Sequence, residues 1–104
     1  MNTRFVPPMG GLQANAWDAA TTGAGGTSSV LDTWSSPFVS AFGNVSGATT
    51  ITLQFSADNS NFYDGPTVSP SGAGNFYLSA TVGARYVRLK SSNSVTATAT
   101  LSAK

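Results

Sequence analysis

The 104-residue chain contains no cysteine and no histidine. Glutamate is missing too, so its four acids are Asp18, Asp32, Asp58 and Asp64. Without cysteine there is neither a disulfide framework nor a thiolate metal site. Without histidine, Ser–His–Asp and Cys–His nucleophilic systems are excluded, as is His-ligated zinc. An aspartate pair alone is a poor basis for acid–base chemistry. The inventory predicts a protein that is not an enzyme and takes no cofactor, metal or small-molecule substrate. Charge is scarce as well: 9% of residues are charged, against about 25% in ordinary soluble domains. The surface must then be built from Ser, Thr, Asn, Gln, Gly and Ala, which suits a component of a large assembly better than a free monomer. A net charge of +1 leaves no electrostatic footprint for nucleic acid. No apolar run approaches the roughly 20 residues of a membrane helix, and MNTRFVPPMGGLQANAW lacks the apolar region of a secretory signal. No membrane partner is expected, and the chain reads as a stand-alone protein.

The length is that of one domain. Composition divides it near Gly26. Ahead of that point come Pro7-Pro8, Gly10-Gly11 and TTGAGG from Thr21 to Gly26, with little periodicity. Residues 1–26 therefore read as an extended arm. Its anchors are Phe5, Val6, Leu12 and Trp17, and with Pro7 and Pro8 these are the expected contacts with a partner. A long stretch without repeating pattern on a small domain is commonly disordered or functional. The competing reading folds the arm back over its own sheet.

Residues 27–104 read as strand, turn, strand. Ser28 to Trp34 carries Val30 and Trp34, and Ser36 to Val45 carries Phe38, Phe42 and Val45. In Thr49 to Ala57, Ile51, Leu53 and Phe55 alternate with Thr50, Thr52, Gln54 and Ser56, the period of a half-buried strand. Ala84 to Ser91 sets Val87 and Leu89 against Tyr86, Arg88 and Lys90. Val95 to Ala103 sets Val95, Ala97, Ala99 and Leu101 against threonines and a serine. Turn residues at Ser46-Gly47, Asp58-Asn59, Ser71-Gly72 and Ser92-Asn93 separate the runs. The expectation is an all-β, two-sheet antiparallel sandwich of jelly-roll-like topology with an extended N-terminal arm. Trp34, lying in a strand pattern, is expected in the core.

Two stretches carry polar groups of interest. In FSADNSNFYDG (Phe55 to Gly65), Asp58, Ser60, Asp64 and the Asn61 carbonyl resemble part of a calcium ligand set. The segment lacks the loop glycine and the bidentate glutamate of an EF-hand. A turn is the simpler reading, because Asp and Asn bond nearby backbone groups and tolerate left-handed conformations. In ARYVRLK (Ala84 to Lys90), Tyr86, Arg88 and Lys90 share a strand face, as in a stacking platform for single-stranded nucleic acid. Two cations and one tyrosine are few for that, and basic residues also guard exposed strands. The glycine run at Thr22 to Gly26 has no lysine and no following helix, so it is no phosphate loop.

Taken together, S-x-D-x-x-x-F-Y-D (Ser56 to Asp64) and A-R-Y-V-R-L-K (Ala84 to Lys90) give the stretch from Ser36 to Lys104 a resemblance. It resembles small β-sandwich proteins of tailed-bacteriophage virions, of the capsid decoration or cement type. Discoidin-like sugar-binding sandwiches show similar stretches but are longer. The decoration family implies a structural protein on the outer capsid surface of the virion, often a homotrimer at threefold positions. It bridges subunits of the major capsid protein and strengthens the shell. An arm that threads across a neighbour suits that role, and removal of residues 1–26 would then abolish particle binding and leave the sandwich folded. Two alternatives stand beside it. One is another virion component, such as a tail, baseplate or fibre protein. The other is a glycan- or calcium-binding sandwich using Asp58, Tyr63 and Asp64.

Overall fold

The computed structural model describes residues 12–34, 36–81 and 83–103. Phe5, Val6, Pro7 and Pro8, four of the expected arm contacts, lie outside the described residues, and of Leu12 only the backbone is described. The strands are β1 (Leu12–Thr21), β2 (Gly26–Thr27), β3 (Leu31–Asp32), β4 (Phe38–Val45), β5 (Ile51–Ser56), β6 (Tyr63–Val68), β7 (Gly74–Thr81), β8 (Tyr86–Ser91) and β9 (Thr96–Ala103). They form a four-stranded sheet in the order β1-β9-β4-β7 and a five-stranded sheet in the order β2-β8-β5-β6, with β3 also paired to β8. Every pairing is antiparallel.

The two-residue segments β2 and β3 act as one interrupted strand. Both run along β8, and Ser28 bridges the gap between them. Its N–H donates to the Leu89 carbonyl and its hydroxyl accepts the Leu89 N–H, each at 2.8 Å. Counted so, the first strand pairs with the last, the second with the second-last, and so on inward to β5 and β6. This is a long hairpin rolled into two sheets, the jelly roll.

Period-two patterning fixes which side of each strand faces inward, because one face of each sheet is buried. The five-stranded sheet contributes Ile51, Leu53, Val87 and Leu89, all at 0% exposure, and the four-stranded sheet contributes Leu101, Phe76, Leu78 and a set of small residues: Ala41, Ala97, Ala99 and Ala103. Gly43 belongs to that set. It lies between Ala99 of β9 and Phe76 of β7, and a Cβ there would overlap the Thr98 carbonyl and come within 2.8 Å of the Ala99 Cα and Cβ. No side chain fits at this crossing.

Two expectations need correction. The boundary near Gly26 does not hold, because Leu12–Thr21 is an edge strand of the sandwich, paired with β9 from Leu12↔Ala103 to Thr21↔Thr96. Trp17 is accordingly not an exposed contact but a core residue, 6% exposed and opposite Ala99. Bulges after Asn15 and after Trp17 shift the register, so neighbours Ala16 and Trp17 are both buried, and Ala19 takes a φ of 51°. TTGAGG then carries the chain from one sheet to the other. Gly23 and Gly25 adopt φ of 77° and 71°, a region that favours glycine, and the Gly26 N–H donates to the Gly23 carbonyl.

Trp34 is the second correction: it is 68% exposed rather than in the core. The chain leaves the sheet just before it. The buried Thr33 hydroxyl donates to the Ala84 and Arg85 carbonyls, and the Ser36 N–H donates back to the Thr33 carbonyl. Trp34 sits at a φ of 53° with its N–H on Asp32 Oδ1. That turn points the indole outward.

Candidate interaction surface

The outer face of the four-stranded sheet follows from the alternation just described. Where Val39, Ala41 and Val45 point inward, Phe38, Ser40, Phe42 and Asn44 point out, and the partners of β7 and β9 continue each row. One row runs Asn15, Thr100, Phe42, Tyr77; the next runs Gln13, Ser102, Ser40, Ser79. Phe42 and Tyr77 are thus direct cross-strand neighbours, 54% and 68% exposed, and Phe38 at the end of β4 is 57% exposed. Side chains directly opposite on antiparallel strands lie within contact distance, so the two rings form one apolar feature. Phe42, Gly43, Val68, Asn75, Phe76 and Tyr77 line an open groove of about 500 Å³ there, and a second depression of about 330 Å³ lies at the other end of the β4–β7 pair, beside Phe38 and Thr81.

Charge is segregated to the opposite side. Asp32, Asp58, Asp64, Arg85, Arg88 and Lys90 all belong to the five-stranded sheet or its loops, and among the described residues only Asp18, in the bulged β1, carries charge on the four-stranded sheet. Away from Asp18, a face built of Ser, Thr, Asn and exposed aromatics loses no ionic hydration when it is covered, so its burial is inexpensive compared with that of a charged face.

On the outer face of the five-stranded sheet, Arg88, Gln54 and Asp64 form one cross-strand row. Arg88 Nε donates to Gln54 Oε1 at 2.9 Å, and Gln54 Nε2 donates to Asp64 Oδ1 at 2.7 Å. The Arg88 guanidinium also lies 3.8 Å from the centre of the Phe62 ring. Arg85 pairs with Asp32 through both Nε and Nη2, and it stacks over Trp34 at 4.5 Å and Tyr86 at 5.2 Å. The hydrogen bond from Arg85 holds the Asp32 carboxyl below its ordinary range, with the Trp34 N–H adding to the effect and burial opposing it. The stripe expected from ARYVRLK does place Tyr86, Arg88 and Lys90 on one face, yet Arg85 and Arg88 are tied to acidic, amide and ring partners.

No protein-family model matches the chain, and no curated protein sequence matches it.

The FSADNSNFYDG segment is a turn held by its own side chains. Asn59 has a φ of 61°. Asp58 Oδ1 accepts the Ser60 and Asn61 N–H groups and the Ser56 hydroxyl, each at 2.9 Å, while Oδ2 accepts Asn61 Nδ2 at 3.0 Å. The Ser56 hydroxyl in turn accepts the Asp58 and Asn59 N–H groups. These donors, the Asn61 N–H first, push the Asp58 carboxyl far below its ordinary value. Asp64 is directed to Gln54 instead, so the two carboxylates serve separate networks. Among the described residues no group of three or more carboxylates converges.

Of the residues expected to touch a partner, Trp17 is brought into the core. The exposed aromatics that the structure displays are Trp34, Phe38, Phe42, Tyr63 and Tyr77. Sequence reasoning missed Phe38, Phe42 and Tyr77 as surface groups. The available signal was parity: in FVSAFGNV, Val39, Ala41 and Val45 occupy one phase, leaving Phe38 and Phe42 on the other.

Proposed function

We propose that this protein is a structural, adhesive component of a virion, one that coats a bacteriophage capsid by laying the outer face of its four-stranded sheet on the major capsid protein. The observation that carries this reading is the face with Phe38, Phe42 and Tyr77 exposed, whose strands carry no charge among the described residues except Asp18, opposite a sheet that with its loops holds the other described charges. Exposed aromatic groups in a Ser/Thr/Asn field match the composition of protein interfaces, where aromatics are enriched and charges depleted at the centre. The resemblance of the Ser56–Asp64 and Ala84–Lys90 stretches to decoration proteins supplies the partner. Jelly rolls recur among viral capsid domains and lectins, which is compatible with the assignment and is fold-level analogy only. Bridging then comes from one module contacting adjoining capsid subunits.

The test is co-sedimentation of the purified protein with capsids of the phage that carries its gene. Binding that is lost in a Phe38→Lys/Phe42→Lys variant of unchanged thermal stability supports the reading. Equal binding by that variant, or none by the wild type, overturns it.

A second reading rests on one observation. Trp34 is exposed at a strained φ of 53° with Arg85 stacked on it and Tyr86 adjacent, an aromatic platform of the kind that stacks on a sugar ring. Retention on a glycan array that disappears in Trp34→Ala would favour this lectin-like reading.

A further inference from the structure

Strand edges differ sharply in how they are protected. Natural sheets guard their edges with proline, charge, bulges or very short strands, because an open edge pairs with another chain. Among the described residues, β6 carries Pro66 in mid-strand and a bulge against β5. At the other edge of the same sheet, β2 and β3 are two residues each. The strand β1 has two register shifts and the exposed Asp18. Of the described edge strands, β7 alone has none of these. Its eight residues, GNFYLSAT, pair with β4 from Phe38↔Thr81 to Val45↔Gly74 without a register shift, and they include no charge and no proline. Among the described residues no strand pairs with its other side, which is an edge of the four-stranded sheet.

We propose that this edge is a self-association site: β7 pairs antiparallel with β7 of a second copy about a twofold axis, joining two four-stranded sheets into one of eight strands. Three observations select a second copy as the occupant. First, an antiparallel pair of identical strands is self-complementary by construction, which is the isologous contact of twofold dimers. Second, no charged side chain on β7 or β4 opposes a like copy. Third, the exposed aromatics sit where the dyad would fall. Keeping both outer faces on one side requires the axis to pass through a residue, not between residues, and the strand's midpoint lies between Tyr77 and Leu78. Centred on Tyr77, the two Tyr77 rings face each other. Centred on Leu78, each Tyr77 faces Ser79 of the partner copy.

The extent of the contact sets its strength. Eight residues at about 3.4 Å each make an edge about 27 Å long, and two sheets about 10 Å apart make it roughly 20 Å deep. That is roughly 500–600 Å² per copy, near the lower limit of about 1,000 Å² in total for a specific interface. The dimer is therefore weak and dissociates on dilution. This pairing uses the strand edge and leaves the outer face open, so it stands or falls apart from capsid binding. It also predicts two copies rather than the three that the decoration resemblance implies.

The experiment is light scattering of the full chain over a range of concentrations. The expected mass is about twice 10.6 kDa at high concentration, falling toward the monomer on dilution. A Tyr77→Lys/Ser79→Lys variant, which sets lysines face to face in either register, stays monomeric with an unchanged circular dichroism spectrum. Asn75→Lys/Thr81→Lys, also at exposed outward positions, serves as an independent second variant. A wild type that is monomeric throughout or trimeric, or a dimer that survives in folded lysine variants, overturns the proposal.

Discussion

Replacing Trp17 by alanine separates a strand in the core from an arm on the surface. Trp17 is 6% exposed, sits opposite Ala99 in the β1–β9 pair and belongs to the same cluster as Leu31, Leu101 and Val95. A buried tryptophan removes up to about 250 Å² from water, which at about 25 cal/mol per Å² sets a ceiling of roughly 6 kcal/mol. Part of that area remains covered after truncation, and an edge strand can close some of the cavity. The expected loss is then about 3–5 kcal/mol, the usual range for aromatic-to-alanine changes in a core. Against a total stability of about 5–15 kcal/mol, this leaves a marginal or unfolded protein. At about 4–8 °C per kcal/mol, the melting temperature drops by at least about 12 °C. Urea unfolding followed by circular dichroism reads the change directly. A Trp17→Ala variant within about 1 kcal/mol of wild type would refute the placement of β1 in the sandwich, since a solvated arm residue shifts stability by only about 0.5 kcal/mol.

Further outcomes follow from the same contacts. Deleting residues 1–26 removes β1 and Gly26 of β2 and strips β9 of one of its two partner strands, so the truncated chain is expected to lose its cooperative thermal transition; a truncated chain with wild-type melting would contradict the pairing. Gly43→Ala drives a Cβ into the Thr98 carbonyl and the Ala99 Cα and should cost about 1–3 kcal/mol by overpacking, whereas Gly72→Ala, with nothing within 4 Å of its Cβ, should leave the urea midpoint nearly unchanged. Acid sensitivity comes from carboxylates whose folded pKa is depressed. Asp58, held by the Asn61 and Ser60 N–H groups, and Asp32, held by Arg85, both lie below the ordinary 3.8. Their contribution is fully present above that value and is lost as pH falls below it toward the folded pKa. An Asp58→Asn variant should show a shallower decline in melting temperature from pH 4 to pH 2 than wild type, and identical slopes would discount the turn network.

What could be read from the sequence, and what could not, follows from where period two survives. In β8 and β9 the alternation of burial is unbroken, and in β5 it holds from Ile51 to Leu53 before Gln54 and Ser56 are covered as well, so the inward set of Ile51, Leu53, Val87, Leu89, Ala97, Ala99 and Leu101 is legible from spacing alone. In β1 the bulges put Ala16 and Trp17 on the same side and cancel the alternation. LQANAWDAAT then looks patternless, although its backbone is paired along its length. The segments β2 and β3 are too short to carry a period, and the hydroxyl of Ser28 completes what the backbone leaves open. Trp34 misleads for another reason: a large apolar residue in a strand-like run reads as core, whereas its backbone conformation is set by Asp32 and Thr33. The turn at Asp58-Asn59 was legible because its side chains act within a few residues. The outward phase of Phe42 is readable by parity within β4, but its row with Tyr77 exists only once β4 and β7 pair.

The most direct test of docking through the outer face of the four-stranded sheet is an electron cryomicroscopy reconstruction of capsids incubated with the protein. The account predicts added density in which the four-stranded sheet faces the shell, with Phe38, Phe42 and Tyr77 at the contact and the Arg85–Asp32 and Arg88–Gln54–Asp64 networks turned to solvent. Added density in which the charged five-stranded sheet meets the shell, or capsids that gain no density at all, would contradict it.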